Sequence, residues 1–332
     1  MKQIKSEDAV GKVLGADITE VIPGVKKGPL FKRGHIIKQD DIERLYSIGK
    51  KHVWIQDEND NSHVVHEDDA AKYIMDAIGG EFLEISVPSE SKVKLISKTK
   101  GVVLLNEEGL LAINNFDNVR VAAKKNFSFI EEKNPVAIGK IMPVQISADE
   151  LEEILSIADK YRPIIDLLPI KKFKVAIFPV GNEFLEGRRQ ETMSLEVKKY
   201  LEYLGQSVHI QEILPDDEFV IAEKGQKMLD IGYDIVIYMG GLSVDPDDKT
   251  TMGILNICDN LVTIGVPLWP GTTFVISYKD DKTILGVPSS AGLVKNGTSF
   301  HILMPIILSG YKLKKIDILK MANGGFIDAA NL

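Results

Sequence analysis

Short apolar runs alternate with helical patterns in the second half of the chain. The runs FKVAIF from Phe173, SVHIQEIL from Ser207 and DIVIYM from Asp234 each favour a β-strand. Helical patterns lie between them, from about Thr192 to Gly205 and from Pro215 to near Gly232. This alternation predicts βαβ units around a mainly parallel sheet.

The rest of that half continues the pattern. It predicts a helix over about Met252–Cys258, then a hairpin in which TFVISYK and TILGV are joined across Asp280 and Asp281. A last helix is expected over about Phe300–Leu308, with a stop at Gly310. The predicted fold class is α/β, a three-layer α/β/α domain with a mostly parallel sheet, accompanied by N-terminal mixed α/β and β-rich domains.

The first half shows a less regular pattern. QDDIERLYSIGKKHVWI predicts a helix, a stop at Gly49 and a strand around Val53, and EDDAAKYIMDAIGG predicts another helix. The β-prone runs KVKLI, GVVLL and VRVAA follow, and Ser147 with Glu150 three places later is typical of a helix start. The expected divisions are a small α/β segment over 1–60, a helix plus β-rich domain over 61–147, a linking helix over 148–170, the α/β/α domain over 171–310 and a C-terminal tail over 311–332.

Composition narrows the class of protein. The chain has 332 residues and a formal net charge of -8, which argues against nucleic acid as a partner. The one cysteine, Cys258, excludes a disulfide framework within the chain, and the six histidines lack the spacing of a zinc motif. Since MKQIKSEDAV has no apolar secretory core and no apolar run reaches the ~18 residues of a membrane helix, we expect a cytoplasmic protein with no membrane partner.

The loop after DIVIYM carries candidate chemistry. In GGLSVDPDD, Gly240 and Gly241 permit close backbone approach, Ser243 offers a hydroxyl and Asp248 a carboxylate. A helix starting near Thr250 would direct backbone N–H groups towards an anion, so phosphate is one expected ligand.

The acidic residues of this loop leave two interpretations open. Carboxylates repel phosphate unless a cation such as Mg²⁺ lies between them. The alternative is a solvated acidic turn in which Asp248 caps the next helix. In either case, Asp245 and Asp247 are expected to be bystanders.

Loops of similar composition follow two other strands. PVGNEFLEGRRQET contains Gly181, Glu183 and the candidate phosphate partners Arg188 and Arg189. GVPSSAG contains Ser289, Ser290 and Gly292. Because the carboxyl ends of parallel strands meet at one edge of a sheet, the three loops are expected to converge there.

These segments, in this order, resemble the molybdopterin-binding domain shared by molybdopterin adenylyltransferases, molybdopterin molybdotransferases, gephyrin and CinA-like proteins. VGNEFLEGRRQET resembles the family's Thr-Gly-Asp-Glu-Leu loop and the turn after it, ILPDD its Val-Pro-Asp-Asp segment, and GGLSVDPDD its Gly-Gly-x-Ser-x-Gly-x-x-Asp loop. WPGTTF and GVPSSAG stand where molybdotransferases have Pro-Gly-Lys-Pro and Gly-Leu-Pro-Gly-Asn-Pro. AVGKVLGADIT resembles the molybdotransferase opening, although the Ser-Ala-Met-Asp-Gly-Tyr-Ala block that follows it there is absent.

Some positions depart from the family pattern. Asn182 replaces an Asp, Asp245 replaces a Gly, and Ser289-Ser290-Ala291 replace Gly-Asn-Pro. Thr272-Thr273 replace Lys-Pro, which removes a cation that would face an anionic ligand. Lys249 and Arg188 are the candidates to replace that charge.

The resemblance implies a site that binds molybdopterin, bare or adenylated, with Mg²⁺ as cofactor and molybdate as substrate. Asp248 and Glu183 would hold the magnesium and act in catalysis. The implied binding residues are Gly181, Asn182, Gly240, Gly241, Ser243, Pro270, Gly271, Pro288, Ser289 and Ser290.

Three functions are open at this point. The first is a molybdopterin molybdotransferase-like enzyme of molybdenum cofactor biosynthesis that releases AMP. The second is a non-catalytic cofactor-binding chaperone or sensor that serves a molybdenum apoenzyme, and the third is a CinA-like nucleotide-cleaving enzyme. The resemblance also implies a homo-oligomer, a dimer or a trimer.

Overall fold

The computed structural model describes residues 1–56, 63–89, 91–243, 245–246, 248–293 and 297–327. These residues fall into two units. The N-terminal unit comprises the described residues of 1–99, 103–126 and 130–167, and the C-terminal unit those of 100–102, 127–129 and from 168 onward.

The N-terminal unit is a mixture of short strands and helices. Some of the strands in this part of the chain contain residues of both units. The strands are β1 (Lys2–Lys5), β2 (Ile18–Ile22), β3 (Lys26–Phe31), β4 (His52–Ile55), β5 (Val64–His66), β6 (Leu83–Ile85), β7 (Lys92–Ser97), β8 (Gly101–Leu105), β9 (Val119–Ala123), β10 (Phe129–Ile130), β11 (Pro135–Ile141), β12 (Gln145–Ser147) and β13 (Ile165–Pro169). Its helices are α1 (Asp41–Ser47), α2 (Glu67–Ile78), α3 (Glu107–Asn114) and α4 (Ala148–Tyr161).

Antiparallel pairing organises this unit. Strands β6, β7, β11 and β9 form a sheet in that order, and β1 pairs with β4, β2 with β3 and β5 with β12. Helix α2 buries Ile74, Met75 and Ile78 in the core that this sheet shares with α4. The predicted start of α4 is confirmed, since the Ser147 hydroxyl accepts a hydrogen bond from the Glu150 backbone N–H at 3.1 Å.

The C-terminal unit alternates strands and helices, as its sequence predicts. The strands are β14 (Lys174–Pro179), β15 (Ser207–Gln211), β16 (Ile235–Met239), β17 (Asn260–Ile264), β18 (Val275–Lys279) and β19 (Lys282–Val287). The helices are α5 (Asn182–Leu185), α6 (Met193–Tyr203), α7 (Glu218–Asp230), α8 (Thr250–Leu255), α9 (Ser290–Leu293), α10 (Ser299–Leu308) and α11 (Lys315–Lys320).

One six-stranded sheet forms the centre of this unit, with the order β15-β14-β16-β19-β18-β17. The pairs β15/β14, β14/β16 and β16/β19 are parallel. Strand β18 runs antiparallel to β17 and β19, which confirms the predicted hairpin. The α/β fold expected from the sequence is therefore present.

Both faces of the sheet are covered. Along β14, Val175 and Ile177 pack into the same core as α6 and α10, whereas Ala176 and Phe178 pack into the core that contains α7 and α8. All four are fully buried. A parallel strand buried on both faces reads as a continuous apolar run, which is why FKVAIF shows no alternation.

Four details differ from the sequence prediction. The linking helix expected over 148–170 ends at Tyr161, and β13 covers Ile165–Pro169. Strand β17 was not expected, and its one buried residue, Val262, gives too weak a periodicity to reveal an edge strand. Helix α8 covers Thr250–Leu255 rather than Met252–Cys258. The predicted tail contains α11. In the parts of the chain that the structure describes, no helix has the length and apolarity needed to cross a membrane.

Candidate functional site

Three of the loops predicted to converge leave the sheet side by side. Pro179 is paired with Met239, and Met239 with Val287, so β14, β16 and β19 end level with one another. Strand β15 lies on one side of β14 and β16 on the other, so the order of the strands reverses there. Crevices at such reversal points are where open α/β sheets bind ligands.

The loop after β16 depends on its glycines. Gly240 has φ +90° and Gly241 φ +60°, in the left-handed region that glycine favours. A Cβ on Gly241 would lie 2.5 Å from the Thr250 hydroxyl, which donates a hydrogen bond to the Gly240 carbonyl at 2.8 Å. The Thr250 backbone N–H donates to the Gly241 carbonyl at 3.1 Å, so the start of α8 is bonded to this loop instead of offering that N–H to an anion.

Asp248 closes the same loop on itself. Its Oδ2 accepts a hydrogen bond from the Ser243 backbone N–H at 2.8 Å, and its own N–H donates to the Asp245 carbonyl at 3.0 Å. Helix α8 has Lys249 at its N-cap position and no side-chain cap, so Asp248 does not cap it as the alternative interpretation expected. Burial, followed by the charges of Asp245 and Asp216, raises the pKa of the Asp248 carboxyl. Asp247 lies outside the described residues.

The loop after β14 is bonded to the segment that precedes α7. The Asn182 backbone N–H donates to the Asp216 carboxylate at 2.8 Å, and the Asp216 N–H donates to the Asn182 side-chain oxygen at 3.3 Å. The Glu183 carbonyl accepts from the backbone N–H groups of Arg188 and Arg189, at 2.9 and 3.1 Å. These bonds fix the backbone on either side of the Glu183 side chain.

A cavity of about 430 Å³ lies among the three loops. Of the residues predicted from the sequence as binding or catalytic, those on its lining are Glu183, Gly240, Gly241, Ser243, Asp248, Pro288 and Ser289. The predicted residues that are not on this lining are Gly181, Asn182, Pro270, Gly271 and Ser290.

The last group has contacts of its own. The Ser299 hydroxyl donates to the Gly271 carbonyl at 2.7 Å, and the Ser299 N–H donates to the Pro270 carbonyl at 3.0 Å. The hydroxyl oxygen of Ser290 is buried and has no hydrogen-bond partner among the described residues. It would lie 3.3 Å from a Cβ placed on Gly271.

Other residues on the lining were not singled out by the sequence. Its apolar part includes Val180, Phe184, Met193 and Leu242. All four are buried, as core residues are. They are also apolar residue types common in any core, so the sequence does not mark them as lining residues. Asp245, expected to be a bystander, is on the lining as well.

The candidate cations occupy different positions. Arg189 is on the cavity lining, with its guanidinium 6.0 Å from the centre of the Phe184 ring. Arg188 forms an ion pair with Glu186. Neither Arg188 nor Lys249 is on the lining, whereas Thr273, at the position of the family's Lys-Pro pair, is.

The donor set suits a hard cation that is shared with a phosphate. The residues on the lining include three that carry carboxylates, Glu183, Asp245 and Asp248, and one that carries a hydroxyl, Ser243. Over the described ranges, no group of three or more His, Cys, Asp or Glu residues is arranged to hold a metal ion by itself. Mg²⁺ commonly binds through one or two carboxylates together with substrate phosphates, and these residues fit that mode.

Comparison with protein families matches two parts of the chain. Residues 176–308 match the family model described as "Probable molybdopterin binding domain". This part of the chain is similar to the molybdopterin-binding domain family. The candidate cavity lies within the matched residues. Residues 3–57 match a model described as a domain of unknown function, DUF8806.

Individual relatives match shorter stretches. Protein PAE0875 of Pyrobaculum aerophilum and a protein of Pyrobaculum arsenaticum are each 38% identical over 76 residues, which are 23% of this chain and 28% of the relative. The chain therefore matches little more than a quarter of the length of these relatives.

Solved structures similar to part of the chain have low sequence identity. The molybdopterin biosynthesis enzyme MoaB of Thermus thermophilus is 23% identical, with 43% of this chain and 99% of that chain covered and a TM-score of 0.37. CinA of Thermoplasma acidophilum, titled as having unknown function, is 20% identical, with coverages of 36% and 89% and a TM-score of 0.32. At these scores the similarity carries no argument about activity.

Proposed function

We propose that the molybdopterin-binding domain holds a phosphorylated pterin in the cavity of about 430 Å³, and that the protein acts in molybdenum cofactor biosynthesis as a molybdopterin molybdotransferase-like enzyme. One observation carries the proposal. Glycine-bearing loops from three level strand ends surround a single cavity that is lined by carboxylates and an arginine, within the part of the chain that matches the family.

Each part of the lining has a distinct task in this proposal. Gly240 and Gly241 adopt the positive φ angles that bring the main chain of this loop onto the cavity lining, where a ligand phosphate can approach it. Asp248 and Glu183 are the residues that would hold Mg²⁺. When bound, this ion would withdraw charge from the phosphate oxygens.

The substrate is adenylated molybdopterin. A water oxygen bonds to one phosphorus of the anhydride and the water gives up its two protons to solvent. The P–O–P bond breaks, AMP leaves and the pterin keeps its own phosphate. The two dithiolene thiols give their protons to one oxygen of molybdate, which leaves as water while two Mo–S bonds form. Molybdenum keeps its oxidation state, so no redox partner is needed.

Two observations favour a second candidate, a chaperone or sensor that binds the finished cofactor without turnover. Thr273 is on the lining where the family has its Lys-Pro pair, so a cation is missing there. Asn182, which replaces the family Asp, is hydrogen-bonded to Asp216. A protein in this role would pass the cofactor to a molybdenum apoenzyme.

Release of AMP separates the two candidates. The purified protein is incubated with adenylated molybdopterin, MgCl₂ and molybdate, and AMP is quantified by chromatography. We expect AMP from the wild type and a loss of about 100-fold in the rate for Asp248→Asn, as for removal of one electrostatic group at a reacting phosphate. Tight binding by both proteins without AMP supports the chaperone, and cleavage of ADP-ribose or pyridine nucleotides instead supports a CinA-like enzyme.

The proposal extends to assembly. We expect a homo-oligomer, a dimer or a trimer, in which a neighbouring subunit completes the site. Light scattering across a range of protein concentrations measures this, and a mass equal to the 36.8 kDa of one chain at every concentration would contradict it.

A further inference from the structure

The charges on the cavity lining are unequal. Among the described lining residues, Glu183, Asp245 and Asp248 are acidic and Arg189 is the one that is basic. Carboxylates alone repel a phosphate, so an anion that enters this cavity needs every available cation. Arg189 is the protein's own cation at this position.

The two adjacent arginines have different surroundings. The Arg188 guanidinium is paired with the Glu186 carboxylate. Arg189 has no ion pair among the described residues, and its guanidinium lies near the face of Phe184, which is 9% exposed and is itself on the lining. A guanidinium beside an aromatic ring keeps its hydrogen-bond donors free for a ligand.

A backbone hydrogen bond and a tight turn fix the position of the Arg189 main chain. Its N–H donates to the Glu183 carbonyl at 3.1 Å, and Gly187, with φ +68°, makes the turn that brings the chain back. Glu183 and Arg189, which are both on the cavity lining, therefore belong to one tight turn. This turn holds the main chain of the arginine next to that of a residue that is proposed to bind the metal.

We propose that Arg189 binds the phosphate of the pterin ligand and gives the cavity its preference for phosphorylated pterins, in place of the lysine that is absent from the Thr272-Thr273 segment. This inference depends on the proposed function, because it assigns one end of the ligand in that site. Binding to Arg189 would place the phosphate at the loop after β14. Thr273 and Ser289 belong to other segments of the same lining and are available to the other end of the ligand.

A pair of fluorescent probes tests the assignment on the full-length protein. The probes are 6-hydroxymethylpterin phosphate and 6-hydroxymethylpterin, titrated at constant Mg²⁺ and ionic strength. The wild type is expected to bind the phosphate form more tightly. Arg189→Gln is expected to lose about 10- to 100-fold in affinity for the phosphate form and little for the free alcohol, which is the range for a charge-assisted hydrogen bond.

Matched variants isolate the contribution of the Arg189 side chain. Arg188→Gln removes the same charge one residue away and is expected to keep the preference, because that side chain is already paired. Arg189→Lys keeps the charge but not the planar fork, so part of the preference should return. An unchanged thermal midpoint for all three shows that the fold is intact.

The outcomes distinguish this inference from the proposed function. If the wild type binds neither probe, the proposed pterin site is wrong and the inference is overturned with it. If the wild type binds both probes equally, or if Arg189→Gln keeps the preference, the role of Arg189 is overturned while pterin binding stands. An equal loss in Arg188→Gln and Arg189→Gln would show a diffuse charge effect and would also overturn it.

Discussion

The backbone N–H of Ser243 donates a hydrogen bond to Oδ2 of Asp248 at 2.8 Å. This carboxylate is therefore used to fold the loop. The proposed metal ligand is also a structural residue. A substitution at Asp248 therefore has to separate the two roles.

Different substitutions at this pair achieve that separation. Asp248→Asn keeps a side-chain oxygen for the Ser243 N–H but removes the charge, so we expect Mg²⁺-dependent binding of the pterin phosphate to fall about 10-fold with little change in stability. Asp248→Ala removes both and should also destabilise the loop. Ser243→Ala keeps the backbone donor and should leave the loop unchanged. Calorimetric titration with and without MgCl₂ measures the binding, and equal effects of Asn and Ala on it and on the melting temperature would contradict this division.

The same carboxyl predicts a pH dependence. Since burial and neighbouring charges raise the pKa of Asp248, a proton competes with the metal at a higher pH than at an ordinary aspartate. Apparent Mg²⁺ affinity should therefore weaken on acidification, and the midpoint should move down in Asp245→Asn, which removes one of those charges. Isothermal titrations at pH steps from 7 to 4 give the midpoint. An identical midpoint in the variant would argue against the electrostatic coupling.

Gly241 is expected to be irreplaceable for a steric reason. Gly241→Ala places a Cβ 2.5 Å from the Thr250 hydroxyl and also has to adopt φ +60°. Gly205→Ala is the matched control, because Gly205 has φ +80° with nothing within 4 Å of its Cβ. We expect a loss of about 1–2 kcal/mol in the free energy of unfolding for the control and a larger loss for Gly241→Ala. Urea unfolding followed by Trp269 fluorescence in a Trp54→Phe background measures both, and equal losses would show that strain alone is responsible.

The parts of the C-terminal fold that the sequence predicts are those that depend on nearby residues. The apolar run of β16 and the Asp217 cap of α7, whose side chain accepts from the Phe219 and Val220 N–H groups, depend on residues within one or two turns. The convergence of the loops also follows from parallel strands ending at one edge. These features need no knowledge of distant contacts.

Features that depend on distant residues were not predictable in this way. Asn182 and Asp216 are 34 positions apart, and their reciprocal hydrogen bonds use the backbone N–H and the side-chain oxygen of Asn182. Phe184 and Met193 have the composition of core residues, and only the packing of the loops exposes them to the cavity. Arg188 and Arg189 are equivalent in sequence but differ in their partners.

Glu67 predicts a second pH effect, in the N-terminal unit. Burial and the charge of Asp68 raise the pKa of the Glu67 carboxyl to about 6, although the Ser91 hydroxyl and Lys140 oppose the shift and Asp17 adds to it. A raised carboxyl pKa means that the folded state holds the proton more tightly than the unfolded state does. The contribution of Glu67 to the free energy of unfolding therefore falls as pH rises from about 4.5 to about 6. Glu67→Gln should be more stable than the wild type at pH 7 by up to about 2 kcal/mol and should differ little at pH 4.

Urea unfolding of the N-terminal unit can be followed separately from that of the C-terminal unit. In a Trp269→Phe background the remaining tryptophan, Trp54, reports on the N-terminal unit, and urea unfolding is followed at each pH. Exposed Glu43 provides the control, and Glu43→Gln should show no comparable gain. A constant difference between Glu67→Gln and the wild type from pH 4 to pH 7 would contradict the assignment.

Tyr238 and Gly225 give the sharpest test of packing on the α7 face of the sheet. The buried Tyr238 hydroxyl donates to the Ile221 carbonyl of α7 at 2.8 Å, and a Cβ on Gly225 would lie 2.0 Å from that hydroxyl oxygen. Tyr238→Phe should cost about 1 kcal/mol for the lost hydrogen bond. Gly225→Ala should cost about 1–3 kcal/mol through overpacking, despite the better helix propensity of alanine.

The double variant measures the coupling between Tyr238 and Gly225. With the hydroxyl removed, the nearest obstacle to the methyl group added by Gly225→Ala is gone, although Ile257 at 2.7 Å still resists it. The two substitutions should therefore lose less together than the sum of their separate losses, by about 1 kcal/mol. Urea unfolding of the four proteins of the cycle, in the Trp54→Phe background, gives this coupling. Strict additivity would mean that α7 does not pack against β16 through this contact.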